Sequence, residues 1–135
     1  MIDWNLLFAG SENSGVYLIQ KNALPDIRNA AAKTNLSLFI LDLSAANGKA
    51  GFLDTTARVM QFPPHFGHNW DALEDCLTDL SWLHADGFVL LIVNYESFVH
   101  SAPVEMATAR SILDDAAAFW RDKTVRFFAA FAEEK

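Results

Sequence analysis

Asp71, Glu74, Asp75, Thr78 and Asp79 stand at i, i+3, i+4, i+7 and i+8, the spacing at which side chains share one face of a helix. Four carboxylates and a hydroxyl grouped in this way accept hydrogen bonds, and suit the Lys, Arg and protonated His groups of a partner. The residues just before them, Pro63-Pro64-His65-Phe66-Gly67-His68-Asn69, add two imidazoles, an aromatic ring and a helix-capping amide. Gly67 permits a tight bend before the cap, and an exposed aromatic beside charges suits an interface.

Like charges three and four residues apart cost a helix roughly 0.2–0.5 kcal/mol per pair, and no base within this segment offsets them. Asp71 recovers part of that cost from the macrodipole in the first turn, whereas Asp75 and Asp79 lie too far along to do so. The plain alternative is a solvated acidic face with a capping residue. A metal site would draw on His65, His68, Asp71 and Asp75, but this spacing lacks a dedicated helix-borne motif such as His-Glu-x-x-His. Acid–base catalysis on RNA would need cations to hold phosphate, and the nearest in sequence is Arg58. No catalytic residue, metal or cofactor is expected.

The charge is sharply confined. From Val59 to Ala109 there is no Lys or Arg, and seven acids fall there, so the whole net charge of −7 belongs to this stretch. Such a field favours a basic protein partner and repels nucleic acid, whose binding requires displacement of counterions by Lys and Arg. No stretch approaches the roughly 20 apolar residues of a membrane span, and the N-terminus lacks the basic start of a secretory signal. The single cysteine, Cys76, cannot form an internal disulfide and reads as a small packed thiol, with no basic neighbour to lower its pKa. These features together predict a cytoplasmic protein. His84 and His100 are too isolated to interpret.

The elements that must hold the acidic segment follow from periodicity. Asn69 caps a helix predicted through Leu80, on which Trp70, Leu73, Leu77 and Leu80 form the core-facing stripe. Apolar runs at Leu36 to Leu43, Gly87 to Val93 and Val125 to Phe131 read as strands, and Gly15 to Ile19 as a further one. Helical spacing marks Pro25 to Asn35, Lys49 to Met60 and Pro103 to Arg121. Leu6-Leu7-Phe8 is a further short apolar run. At 135 residues the chain predicts one α/β domain with a small, mostly parallel sheet of three to four strands packed with helices.

The run Phe62-Pro-x-x-Phe-Gly-x-Asn-x-Asp-Ala-Leu-x-Asp-Cys-Leu-Thr78 resembles the signature segment of the barstar family, intracellular inhibitors of barnase-type ribonucleases. The resemblance covers residues 36–131 as a barstar-like core, leaving 1–35 as an N-terminal addition. It implies a protein inhibitor whose loop and helix enter a nuclease active site and place carboxylates where RNA phosphates would lie. Asp75 matches the aspartate that mimics phosphate, and Asp71 matches the second aspartate pairing with basic residues. Thr78 matches a polar contact, Gly67 and Asn69 match backbone-positioning residues, and His65 stands where the family has a stacking tyrosine.

The resemblance breaks at several contact positions. Glu74 replaces a tryptophan, Trp70 a leucine, His68 a glutamate and Asp79 a glycine. A glutamate that the family uses on its later helix has Asp114 and Asp115 as candidates here. The expected partner surface is therefore His65, Phe66, Gly67, His68, Asn69, Asp71, Glu74, Asp75, Thr78 and Asp79. Its expected partner is a basic protein, above all a ribonuclease. The competing expectation is an interaction or regulatory module for a different basic protein.

Overall fold

The computed structural model describes residues 2–134. Four strands, β1 (Gly15–Gln20), β2 (Ser37–Asp42), β3 (Gly87–Val93) and β4 (Arg126–Glu133), alternate with helices α1 (Trp4–Ala9), α2 (Leu24–Lys33), α3 (Gly48–Val59), α4 (Trp70–Leu77), α5 (Glu96–Ser101) and α6 (Pro103–Asp122). The strands form one sheet in the order β1-β4-β3-β2, and every pairing in it is parallel. The predicted α/β class and parallel sheet are what the chain adopts.

Side chains alternate across a strand, so β3 serves two cores at once. Phe88, Leu90 and Ile92 face the larger core, built with α3, α4, α5 and α6. Val89 and Leu91 face a second core with Trp4, Phe8, Ile27, Ala30 and Ala31 of α1 and α2. The parallel register carries the alternation across the sheet. Val16, Ala129, Leu90 and Phe39 form a row on the first face, and Tyr17, Ala130, Leu91 and Ile40 form one on the second. Helices on both faces explain why Gly87–Val93 is apolar almost without interruption.

The N-terminal segment is built into this architecture. β1 pairs with β4 over six positions. The Arg126 guanidinium donates to the carbonyls of Thr34 at 2.6 Å and Phe8 at 3.2 Å. Buried Ser14 accepts the Phe127 N–H at 3.0 Å and donates to the Val125 carbonyl at 3.3 Å, while Arg121 donates to the Ser14 carbonyl at 2.7 Å.

Several local outcomes differ from the sequence reading. Leu6-Leu7-Phe8 lies in α1, because Asp3 caps the Leu6 N–H and puts Trp4 and Phe8 on one buried face. The acidic helix ends at Leu77 and does not reach Leu80. Leu80 takes a left-handed conformation with φ 51°, and its amide turns back to the Cys76 carbonyl at 3.1 Å. β2 is half-buried, with only Leu41 fully enclosed, since it is an edge strand. The short helix α5, between β3 and α6, had no sequence signal beyond its apolar residues.

Candidate functional site

The segment between α3 and α4 is folded back on itself. The Phe66 amide donates to the Pro63 carbonyl at 3.0 Å, closing a turn. This turn lays the Phe66 ring edge-on against Phe62 at 5.0 Å, and Phe62 in turn packs edge-on against Trp82 at 5.9 Å. Trp82 is fixed by its indole N–H, which donates to the Met60 carbonyl at 2.9 Å. Phe66 is consequently only 6% exposed, which corrects the expectation of an exposed aromatic at this position. It anchors the loop from inside, and His65 beside it is the exposed ring.

The entry into α4 is held by small hydrogen bonds. Asn69 Oδ1 accepts the Ala72 N–H at 2.7 Å as the N-cap, and Asn69 Nδ2 donates to the Gly67 carbonyl at 3.3 Å. The left-handed residue of the bend is His68, with φ 53°, and not Gly67 as the sequence suggested. Gly67 instead sits close to the cap, where a Cβ would lie 3.3 Å from Asn69 Nδ2 and 3.5 Å from Ala72 Cβ. His68 is tied by Nδ1 to the Phe66 carbonyl at 3.0 Å and by Nε2 to the Asp54 carboxylate at 3.5 Å.

Leu73 and Leu77 are fully buried and hold α4 against the larger core, with half-buried Trp70 packed 6.1 Å from Phe52. On the opposite side Asp71, Glu74 and Asp75 are exposed together. The predicted fourth and fifth members of that face leave the helix. Thr78 is the C-cap, and its hydroxyl donates back to the Glu74 carbonyl at 2.8 Å. Asp79 lies beyond the cap and is also exposed. Among the described residues the only ion pair of a Lys or Arg is Lys21 with Glu134, so no Lys or Arg neutralises these acids by contact.

Tertiary folding brings in residues that the sequence spacing missed. Lys49 Nζ sits 5.9 Å above the Trp70 ring, Asp54 meets His68, and Trp82 closes the loop. Only the apolar periodicity of Lys49 to Met60 hinted that this stretch would lie beside the site, and it said nothing of individual charges. Asp114 and Asp115 are exposed on α6. Half-burial raises the Cys76 thiol pKa, and the carboxylates of Asp79 and then Asp75 push it further. Among the described residues no three His, Cys, Asp or Glu side chains converge as metal ligands.

Fold and site together define a three-layer α/β protein that presents a braced loop and an uncompensated acidic helix. The chain belongs to the barstar (barnase inhibitor) family, whose pattern it matches over residues 36–132. That family is one of protein inhibitors, so a protein–protein interaction is what membership carries. No curated protein matches the sequence. Among solved structures, the ORC2 protein of Aeropyrum pernix in its ADP form is 18% identical with a TM-score of 0.64, covering 96% of this chain and 38% of that one. The same protein in its ADPNP–ADP complexes is 17% identical with a TM-score of 0.59, covering 96% and 37%. At that identity the likeness is one of fold, and the chain spans well under half of ORC2. Among the described residues no helix is long and apolar enough to cross a membrane.

Proposed function

We propose that the protein is a non-enzymatic, cytoplasmic inhibitor that binds a basic ribonuclease of the barnase type and blocks its active site. The observation that carries this reading is the set of exposed carboxylates, Asp71, Glu74 and Asp75, on a helix braced at both ends and, among the described residues, paired with no Lys or Arg. Asp75 takes the place of an RNA phosphate and accepts charge-assisted hydrogen bonds from catalytic Arg and His groups. Asp71 pairs with neighbouring bases, and the confined charge speeds encounter with a cationic partner. Asn69 and Gly67 set the backbone, while His65 supplies the exposed ring.

A second reading keeps the surface and changes the partner to a basic protein without nuclease activity. It is favoured by the contact positions where the chain departs from the family signature, among them Glu74, His65 and Asp79. Nucleotide binding of the kind named for ORC2 finds no support in the turn after β1. Lys21-Asn22-Ala23 runs straight into α2 without a glycine to open backbone N–H groups toward a phosphate.

Titration calorimetry against a barnase-type ribonuclease, with RNA cleavage followed on the same mixtures, separates the two. One-to-one binding with loss of cleavage supports the inhibitor. Absence of binding removes this target class and favours the second reading.

A further inference from the structure

β1 forms one side of the sheet, and among the described residues it pairs with β4 alone. Its outer side therefore presents unpaired backbone N–H and C=O groups, a template on which a further strand can add. Edge strands are ordinarily guarded by a charge, a proline, a bulge or a covering segment. Gly15–Gln20 has no charge and no proline, and its six positions meet β4 without a bulge. Leu18, near its middle, is 55% exposed. The other edge, β2, exposes no large apolar side chain, since Leu38, Phe39 and Ile40 are half-buried. Beside the second half of β1 lies a groove of about 360 Å³, walled by Ile2, Trp4, Ile19 and Ala23 with exposed Asp26 at its rim.

We propose that β1 pairs with β1 of a second copy of this chain, antiparallel about a twofold axis at Leu18, to give one continuous eight-stranded sheet. The segment lies outside residues 36–132, the part that matches the family, and the acidic helix takes no part. Symmetry restricts the register. Opposed residues of an antiparallel pair share a face, and a twofold axis normal to the sheet keeps each face on its own side, so the axis must pass through a residue. Leu18 is the one exposed apolar side chain of β1, and an axis there covers it with its own image. Tyr17 then meets Ile19, at the groove, and Val16 meets Gln20. Charge selects a second copy as the occupant. The strand is neutral, so doubling it opposes no like charges and a charged segment would find no counter-charge on it. The acids that would keep two copies apart lie elsewhere, because α3, which leads into the acidic loop, packs on β2 at the opposite edge. Pairing of β1 with β2 of another copy would repeat without closing, whereas the twofold contact stops at two.

Sedimentation equilibrium of the full chain, from micromolar to near-millimolar concentration, should show the mass rise from one chain to two and stop there. Leu18→Lys sets two ammonium groups against each other on the axis and should weaken dimerisation about tenfold or more. Its urea midpoint should match the parent's, because Leu18 is already exposed in the single chain. Ser44→Lys, an equal charge change beyond β2, should leave dimerisation unaltered. The register is read in a Cys76→Ser background. Leu18→Cys should cross-link to itself under mild oxidation, since opposed residues of antiparallel strands have Cα atoms about 4.5–5.5 Å apart, within disulfide reach. Gln20→Cys, which faces Val16, should not. A single chain at every concentration, growth beyond two chains, undiminished dimerisation of Leu18→Lys, or equal cross-linking at the two positions would overturn the proposal. No nuclease takes part, so loss of the dimer and loss of ribonuclease inhibition are read separately.

Discussion

The indole N–H of Trp120 donates to the carbonyl of Leu77 at 2.7 Å, joining α6 to the last residue of the acidic helix. α4 has eight residues, too few to be stable alone in water, and its final carbonyls have no partners within the helix. Trp120 supplies one from 43 residues away. A helix carrying three exposed acids on one side thus depends on side chains distant in sequence to stay in place.

Trp120→Phe keeps most of the packing and removes the donor. It should destabilise the fold by about 1–3 kcal/mol, the cost of leaving a partly buried carbonyl unmatched. Urea unfolding measures the loss. Amide exchange should quicken at Thr78, Asp79 and Leu80, whose N–H groups bond back into the end of α4, while β3 amides slow to exchange remain so until global unfolding.

At the other end of the helix, Asn69→Ala should cost about 1 kcal/mol, the usual loss for an N-cap. Asn69→Asp, which keeps an acceptor for the Ala72 N–H, should recover most of it. Gly67→Ala should destabilise less than Asn69→Ala, because its added methyl presses on the Asn69 amide nitrogen and leaves the capping oxygen free. Thermal unfolding of the three variants ranks them.

Binding and stability should separate at the two aspartates. Asp71 lies in the first turn, where its charge contributes about 0.3–1 kcal/mol to the helix, so Asp71→Ala should lower stability as well as binding. Asp75→Ala should leave stability unchanged or slightly raised by relief of repulsion with Asp71. It should nevertheless weaken a ribonuclease complex by about 2–5 kcal/mol, a general range for truncated interface charges to which barstar complexes themselves contribute. Unchanged affinity for Asp75→Ala would show that phosphate mimicry has been assigned to the wrong residue.

The Cys76 thiol offers a pH test of the charges around it. Burial raises its pKa, and Asp79 and Asp75 raise it further. The native state therefore holds the proton to higher pH than the unfolded chain does. Stability from this group is fully present below the ordinary thiol pKa and falls as pH rises above it toward the folded value. Alkylation of Cys76 by iodoacetamide should accelerate only at a pH above the ordinary thiol range. Asp79→Asn should move that midpoint down, and Cys76→Ser should remove the alkaline loss of stability.

Residues before Leu36 should matter to the whole fold. Ile27 of α2 is fully buried in the core that Val89 and Leu91 share. Ile27→Ala should therefore cost about 2–5 kcal/mol. A loss below 1 kcal/mol in urea unfolding would mean that α2 is an appendage whose packing the sheet does not need.

Much of the fold was readable because local chemistry and tertiary role agree. Gly87–Val93 is apolar at nearly every position, and a central parallel strand covered on both faces requires that. Leu73 and Leu77 recur at helical spacing, and both are buried. Asn69 is a good N-cap on propensity and serves as one. Where local signals were ambiguous the reading diverged. Leu6-Leu7-Phe8 has no helical repeat of its own, and only the Asp3 cap and the pocket for Trp4 and Phe8 settle it. Phe66 is flanked by polar residues and reads as exposed, yet the Pro63 turn and the Phe62–Trp82 stack draw it inside.

The sequence by itself determined the secondary-structure rhythm, the family signature and the confinement of negative charge to one segment, because each depends on residue type and spacing along the chain. Tertiary structure decided the rest. It ended α4 at Leu77, left Asp79 beyond the cap, brought Trp82, Trp120 and Lys49 to the site, and made α1, β1 and α2 a helix layer and an edge strand. These outcomes depend on contacts between residues far apart in the chain, whose formation is governed by how both faces of one parallel sheet can be covered at once.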